Sequence, residues 1–251
     1  MTAKKIYFIG IKGVGMSGAA VIAKEAGHSV QGSDVPEQFI TDKILHEKGI
    51  AVLEGFDAAH LDWQPDLVVI GTSWDDRNVE VAEAQRRGIA QMSYSQFLDY
   101  LIQGREGVAV AGVHGKTTTT ALLAYLLTKL DAKPGYLVGT GNIPDLGFNA
   151  HNGAGKYFVI EADEYKRSFN DPMPKFLDLS PAHAIVTSVE LDHPDLYPTV
   201  DALQEVFVRF LCKPSLQSGV RLLGGDSEPL RALLPQLSGT VFTYGFNEAN
   251  D

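Results

Sequence analysis

A formal charge of -10 spread over 251 residues argues against a nucleic-acid binder, because affinity for a phosphate backbone is built from clustered Lys and Arg. The single cysteine, Cys212, excludes an internal disulfide framework and a cysteine-based metal cluster. The N-terminal apolar run Ile6 to Ile11 is too short for a signal h-region, and no run approaches the roughly 20 apolar residues of a membrane span. The expectation is a cytoplasmic protein without nucleic-acid or membrane partners, long enough for one large or two ordinary domains.

Short apolar runs alternate with helical patterns along the chain, the signature of βαβ units and of an α/β fold with parallel sheets. Lys5 to Ile11, His28 to Asp34, Ile50 to Gly55 and Asp66 to Ser73 read as the first four strands. Between them lie helical patterns such as MSGAAVIAKEAG and FITDKILHEKG, each closed by a glycine suited to a helix C-cap. Ser95 to Gly107 reads as a helix ending in a polar connector, which places a domain boundary there: residues 1–106 and 107–251.

The second half repeats the alternation. A strand over Gly107 to Val113 feeds a helix over Thr117 to Leu130, and further strands are GYLVGT, KYFVIEAD and AHAIVTSV. A helix from Val200 to Cys212, a strand GVRLLGG, a Pro-interrupted helix near Leu230 and a strand TVFTYGF complete the pattern. The end of the chain in NEAND, directly after a strand, reads as a cut within a larger architecture.

Two glycine-rich turns carry the chemistry. In GVHGKTTTT (residues 112–120) the lysine sits where a buried strand enters a helix. Freed backbone N–H groups and the helix dipole then favour an anion, Lys116 adds a full charge, and Thr117 can place its hydroxyl on Mg²⁺. The phosphate-binding set is Gly112, His114, Gly115, Lys116, Thr117 and Thr118. The Walker pattern asks for glycine six positions before the lysine, where Val110 stands, so a plain polar turn with a surface lysine is the competing reading.

The other turn, IGIKGVGMSGAA, sets Gly13, Gly15 and Gly18 in G-x-G-x-x-G register, with Asp34 closing the second strand about twenty residues on, as in dinucleotide-binding folds. A diphosphate can rest on that helix N-terminus; a tight turn with close helix packing explains the same glycines. In the second half, Glu161, Asp163 and Glu164 stand at one strand exit, and Glu190, Asp192, His193 and Asp195 at another. Both groups are expected at the ligand-binding edge of a parallel sheet, where carboxylates, Thr117 and phosphate oxygens suit magnesium. His28, His46, His60 and His183 read as structural or solvent-exposed.

With these residues in view, the sequence resembles the Mur ligases of bacterial cell-wall synthesis, through IGIKGVGMSG with GSD at 32–34, VAVAGVHGKTTTT, VIEADEY and VELDHPDLY. The resemblance implies a Rossmann-like domain holding a UDP-sugar, a central P-loop ATPase domain, and a C-terminal amine-binding domain that this chain lacks. It implies ATP and Mg²⁺ as cofactors. Lys116 would steady the β and γ phosphates, Thr117 and Glu161 would ligate one Mg²⁺, and His193 would help with another. Gly13, Val14, Gly15, Met16 and Ser17 would cradle the diphosphate of UDP-N-acetylmuramate, with Asp34 and Ser73 near the uridine. The implied reaction turns the sugar's carboxylate into an acyl phosphate that an amine captures. GVGMSG is similar to the member adding L-alanine, whereas GHSVQGSD and EADEYKRSFNDPMPKF are similar to the member adding a tripeptide, which is the reading taken. Two rivals stay open: an NAD-dependent oxidoreductase, which leaves HGKTTTT without a purpose, and a P-loop nucleotide switch indifferent to sugar nucleotides.

Overall fold

The computed structural model describes residues 2–168 and 170–251; Phe169, within the EADEYKRSFNDPMPKF stretch, lies outside them. The chain separates into two compact units. The first holds the residues up to Leu101 together with Gly135–Ala154 and Arg167–Asp171, and the second Ile102–Pro134, Gly155–Lys166 and Pro172–Asp251.

The first unit runs β1 (Lys5–Ile9), α1 (Val14–Glu25), β2 (Ser29–Asp34), α2 (Asp42–Glu47), β3 (Ala51–Glu54), β4 (Leu67–Ile70), α3 (Val79–Arg86), β5 (Ala90–Ser93) and α4 (Tyr94–Ile102). Its sheet has the order β3-β2-β1-β4-β5, parallel throughout. The central strand is apolar on both faces because both are covered: Ile6, Tyr7, Phe8 and Ile9 are fully buried. β5 is a strand the sequence reading did not place; its AQMS sequence is short and half polar, and pairing with β4 rather than hydrophobicity makes it. β2 and β4 flank β1 on opposite sides, so the crevice where the winding reverses opens at the carboxyl end of β1.

In the second unit β6 (Glu106–Ala111) leads into α5 (Lys116–Lys129). The short β7 (Gly135–Leu137) and β8 (Ala150–His151) pair antiparallel within the first unit. Then come β9 (Tyr157–Glu161), β10 (His183–Val186), α6 (Val200–Leu211), β11 (Val220–Gly224), α7 (Glu228–Arg231) and β12 (Thr240–Tyr244). β12, β11, β10, β6 and β9 lie side by side in that order, all parallel. β9 and β10 flank β6, which again sets a winding reversal at the carboxyl end of the strand that carries the glycine turn. Under α6, Phe176 stacks on Phe210 with centroids 4.6 Å apart and meets Phe207 edge-on at 5.3 Å.

Candidate active site

The turn after β6 is shaped by two glycines that a larger residue cannot replace. Gly112 has φ 118° and a Cβ there would lie 2.2 Å from Thr187 Oγ1; Gly115 has φ 80° and forms the N-cap of α5. Both conformations lie in the left-handed region that side chains resist. Thr187 and Ser188, just past β10, hold the turn from the neighbouring strand. The Thr187 hydroxyl donates to His114 O at 2.5 Å, Val113 N donates to Ser188 O at 3.0 Å, and His114 N to Ser188 Oγ at 3.3 Å. No side chain caps α5, in contrast to α3, capped by Asn78, and α6, capped by Thr199. The first N–H groups of α5 are thereby left for a ligand.

Lys116 folds back over this turn. Its ammonium donates to Gly112 O at 2.6 Å and to both carboxylate oxygens of Glu164 at 3.0 Å. Glu164 is fully buried. Burial pushes its carboxyl above the ordinary range, with the Lys116 charge pulling the other way. The backbone carbonyl of Glu164 accepts from the Tyr197 hydroxyl at 2.5 Å. Beside it, Asp163 suffers burial too, but the Lys175 ammonium at 2.8 Å holds its carboxyl below the ordinary range. Tyr197, Lys175 and Thr187 are components that reading the motifs did not single out, and Glu164 was placed at the strand exit without a role of its own. Only Glu164, inside EADE, had a local signal.

At the end of β9, Thr117 Oγ1 donates to Glu161 Oε2 at 3.2 Å. Magnesium binds oxygen at 2.0–2.1 Å in octahedral geometry, so neighbouring ligands stand about 2.9 Å apart. The Thr117 and Glu161 oxygens are close to that separation, and this pair fits the ion. Among the described residues no group of three or more His, Cys, Asp or Glu side chains is placed to hold a metal, so the remaining positions would fall to phosphate oxygens and water. His193 lies at a left-handed φ of 52°, uncommon for a residue other than glycine. Its Nε2 is 3.8 Å from Glu164 Oε1 and 3.7 Å from Asp192 Oδ2, and its ring lies 4.6 Å from that of Tyr165. Its neighbours thus include Glu164, Asp192 and Tyr165.

In the first unit, α1 begins at Gly13, likewise without a side-chain cap. The glycines of the motif serve different ends. A Cβ on Gly15 would lie 2.2 Å from Tyr94 Oη and one on Gly18 2.3 Å from Leu137, so these two permit close packing of α1, while Gly13 meets nothing nearer than 3.8 Å. Met16 and Ser17 are buried, and the Ser17 hydroxyl donates to Val14 O at 3.0 Å. Asp34 is buried and committed to the turn itself: its carboxylate accepts from Lys12 N at 2.7 Å and Val35 N at 2.8 Å. Lys12, which the sequence reading passed over, is buried, and its ammonium donates to Val35 O at 2.9 Å and Glu37 O at 2.8 Å. Ser73 is exposed in the turn after β4. His60, read as structural or solvent-exposed, bonds the fully buried Glu80 at 2.7 Å.

Residues 5–106 match the Mur ligase family, catalytic domain, and residues 110–251 the Mur ligase middle domain. A UDP-N-acetylmuramate–L-alanine ligase of Koribacter versatilis is 37% identical over 248 residues, 99% of this chain and 51% of the relative. The crystal structure of UDP-N-acetylmuramate:L-alanyl-gamma-D-glutamyl-meso-diaminopimelate ligase from Neisseria meningitides superposes with a TM-score of 0.87 at 33% identity, covering 98% of this chain and 79% of that one. The UDP-N-acetylmuramate-alanine ligase of Thermotoga maritima gives 0.79 at 26% identity, covering 97% and 53%. The chain spans about half the length of the curated relatives it matches.

Proposed function

Because the chain belongs to the Mur ligase family, we propose that its two units serve an ATP-dependent, carbon–nitrogen bond-forming ligase of peptidoglycan synthesis or recycling. The first unit would bind UDP-N-acetylmuramate at the Gly13–Ser17 turn, with Asp34 and Ser73 on the uridine side, and the second Mg-ATP at Gly112–Thr118. The proposed domain division is 1–106 and 107–251, and the proposed location is the cytoplasm. The observation that carries the reading is the uncapped α5 N-terminus with Lys116 folded over it and the Thr117–Glu161 oxygen pair beside it.

In this reading an oxygen of the sugar's carboxylate attacks the γ-phosphorus and ADP departs. The amine then attacks the acyl carbon, and inorganic phosphate leaves. The chain supplies positioning and charge neutralisation, the main demands of phosphoryl transfer. Lys116 would leave Glu164 to neutralise the β and γ phosphates, the α5 N–H groups would hold their oxygens, and Thr117 with Glu161 would hold the ion. When bound, Mg²⁺ would supply further neutralisation of phosphate charge. His193 is proposed as a helper at a second ion, reached from its place beside Glu164.

For the amine we take the tripeptide L-Ala-γ-D-Glu-meso-diaminopimelate. That choice is supported by EADEYKRSFNDPMPKF and by the TM-score of 0.87 to a ligase of that name. L-alanine is the second reading, favoured by relatives of 37% to 39% identity named as alanine ligases. Thermal-shift titrations with UDP-N-acetylmuramate, Mg-ATP and NADH test the core of the proposal. A response to the first two alone is expected, and a response to NADH with none to the sugar nucleotide would favour the oxidoreductase. The 251 residues by themselves are expected to bind both nucleotides yet form no measurable amide, since such chemistry depends on closure and positioning; robust ligation by them would contradict this.

A further inference from the structure

The first unit buries an acid far along the chain from its glycine turn. Glu80 is fully buried as the second residue of α3, where its N–H donates to the capping Asn78 Oδ1 at 2.9 Å. Four donors converge on its carboxylate. Oε1 accepts from Tyr7 Oη of β1 at 3.0 Å and from Asp57 N at 3.3 Å, and meets His60 Nδ1 at 2.7 Å; Oε2 accepts from Ser33 Oγ of β2 at 2.5 Å. Burial pushes the Tyr7 phenol up, which keeps it a donor. Holding a carboxylate out of water is costly and needs each of these bonds, although α3 is already joined to the sheet by the apolar cluster of Tyr7, Ile9, Leu61, Val68, Val81 and Ala84. The strand that Glu80 grips ends at the glycine turn. Ser33 O accepts from Gly10 N at 2.9 Å and Ile11 N at 3.1 Å, and Asp34 Oδ2 accepts from Lys12 N at 2.7 Å. Three successive N–H groups leading into Gly13 are thus set by the last two residues of β2.

From this arrangement we infer that Glu80 is a positioning residue for the sugar-nucleotide turn: by holding Ser33 it fixes the end of β2, and through Ser33 O and Asp34 it fixes the backbone that presents the N–H groups of Gly13–Ser17. The inference rests on the sugar-nucleotide reading of that turn and deepens it. A site that binds through main-chain N–H groups is only as exact as the elements that hold the main chain, and polar side chains behind it supply that support. Two hydroxyls on the same acid separate this role from plain structural support. Tyr7 bonds Glu80 from the middle of β1, whereas Ser33 bonds it from the end of β2. Both are fully buried, so losing either leaves the carboxylate short of one donor. Ser33, unlike Tyr7, also carries the carbonyl on which Gly10 and Ile11 hang.

Calorimetric titration of the 251-residue protein with UDP-N-acetylmuramate and with Mg-ATP, at a temperature where circular dichroism shows each variant folded, tests this. Ser33→Ala should bind UDP-N-acetylmuramate about tenfold more weakly, the order of one lost hydrogen bond to a charged group, while its affinity for Mg-ATP is unchanged. Tyr7→Phe should lose comparable stability in chemical denaturation yet bind the sugar nucleotide as wild type does. Ser33→Thr keeps the hydroxyl and adds a buried methyl, so it should restore affinity without restoring stability. Glu80→Leu, which removes the acceptor, should match Ser33→Ala; should that variant not fold, the Ser33 and Tyr7 variants decide. Undiminished affinity in Ser33→Ala, or an equal loss in Ser33→Ala and Tyr7→Phe, would overturn this inference and leave the sugar-nucleotide reading standing. Failure of wild type to bind UDP-N-acetylmuramate would overturn both.

Discussion

The two glycine-rich turns use the same backbone device with opposite electrostatics. Each ends a buried parallel strand, and each opens a helix that no side chain caps. After β1 the nearby lysine, Lys12, is buried and its ammonium is engaged by Val35 O, Glu37 O and, at 3.6 Å, the Asp42 carboxylate, so its charge is already committed to the segment after β2. After β6 the lysine stays over the turn with Glu164 as its counter-charge. The contrast teaches that a glycine turn by itself says only that an anion can approach. Where the adjoining cation is sent determines whether the anion is merely held or chemically handled.

That contrast can be broken by experiment. Lys116→Ala should reduce Mg-ATP affinity more than about 100-fold, as expected for removing a charged partner of phosphate, while UDP-N-acetylmuramate affinity stays within about twofold; calorimetry on both ligands decides. Simultaneous loss in a folded variant would mean the two turns do not serve separate ligands. Lys12→Met should act the other way round. It strands two carbonyls and should cost about 2 kcal/mol in chemical denaturation while leaving Mg-ATP affinity unchanged. Thr199→Ala removes the side-chain cap of α6 and should cost about 1 kcal/mol with no effect on either ligand.

The smallest expected effect is a pH slope. Because burial raises the folded-state pKa of Glu164 above its unfolded value of 4.5, its contribution is fully present below that value and is lost as pH rises through the folded pKa. The Tm difference between wild type and Glu164→Gln should therefore shift against wild type as pH climbs from about 4.5. A difference that moves in wild type's favour over that range would reverse the assignment.

Much of this organisation was legible because alternation of apolar strands and glycine turns is a local signal. The α/β class, the parallel sheets and the HGKT turn follow from residues adjacent in sequence, and the family comparison agrees with the first two. What escaped depends on partners far along the chain. Nothing around Lys12 announces that its ammonium turns inward to carbonyls at 35 and 37, and Ala90–Ser93 becomes a strand only by pairing with β4. Residues 135–154 cluster with the first unit where β7 and β8 lie against the small-residue face of α1 at Gly18, a contact invisible to periodicity. Asp34 shows the complementary limit: its position after β2 suggested a place near the uridine, and nothing local announced that its carboxylate also accepts from the backbone N–H groups of Lys12 and Val35.

The closed pairing of Lys116 with Glu164 has a consequence for selectivity against small anions. A resting ammonium whose charge is cancelled in place exerts little pull on inorganic phosphate or sulfate, so lone oxyanions gain little from settling on the turn. A chelated polyphosphate brings its own cation and many oxygens at once, enough to draw the lysine off its internal acid. In the proposed reading the turn would thereby favour a ligand that brings several oxygens and a bound cation over a lone oxyanion.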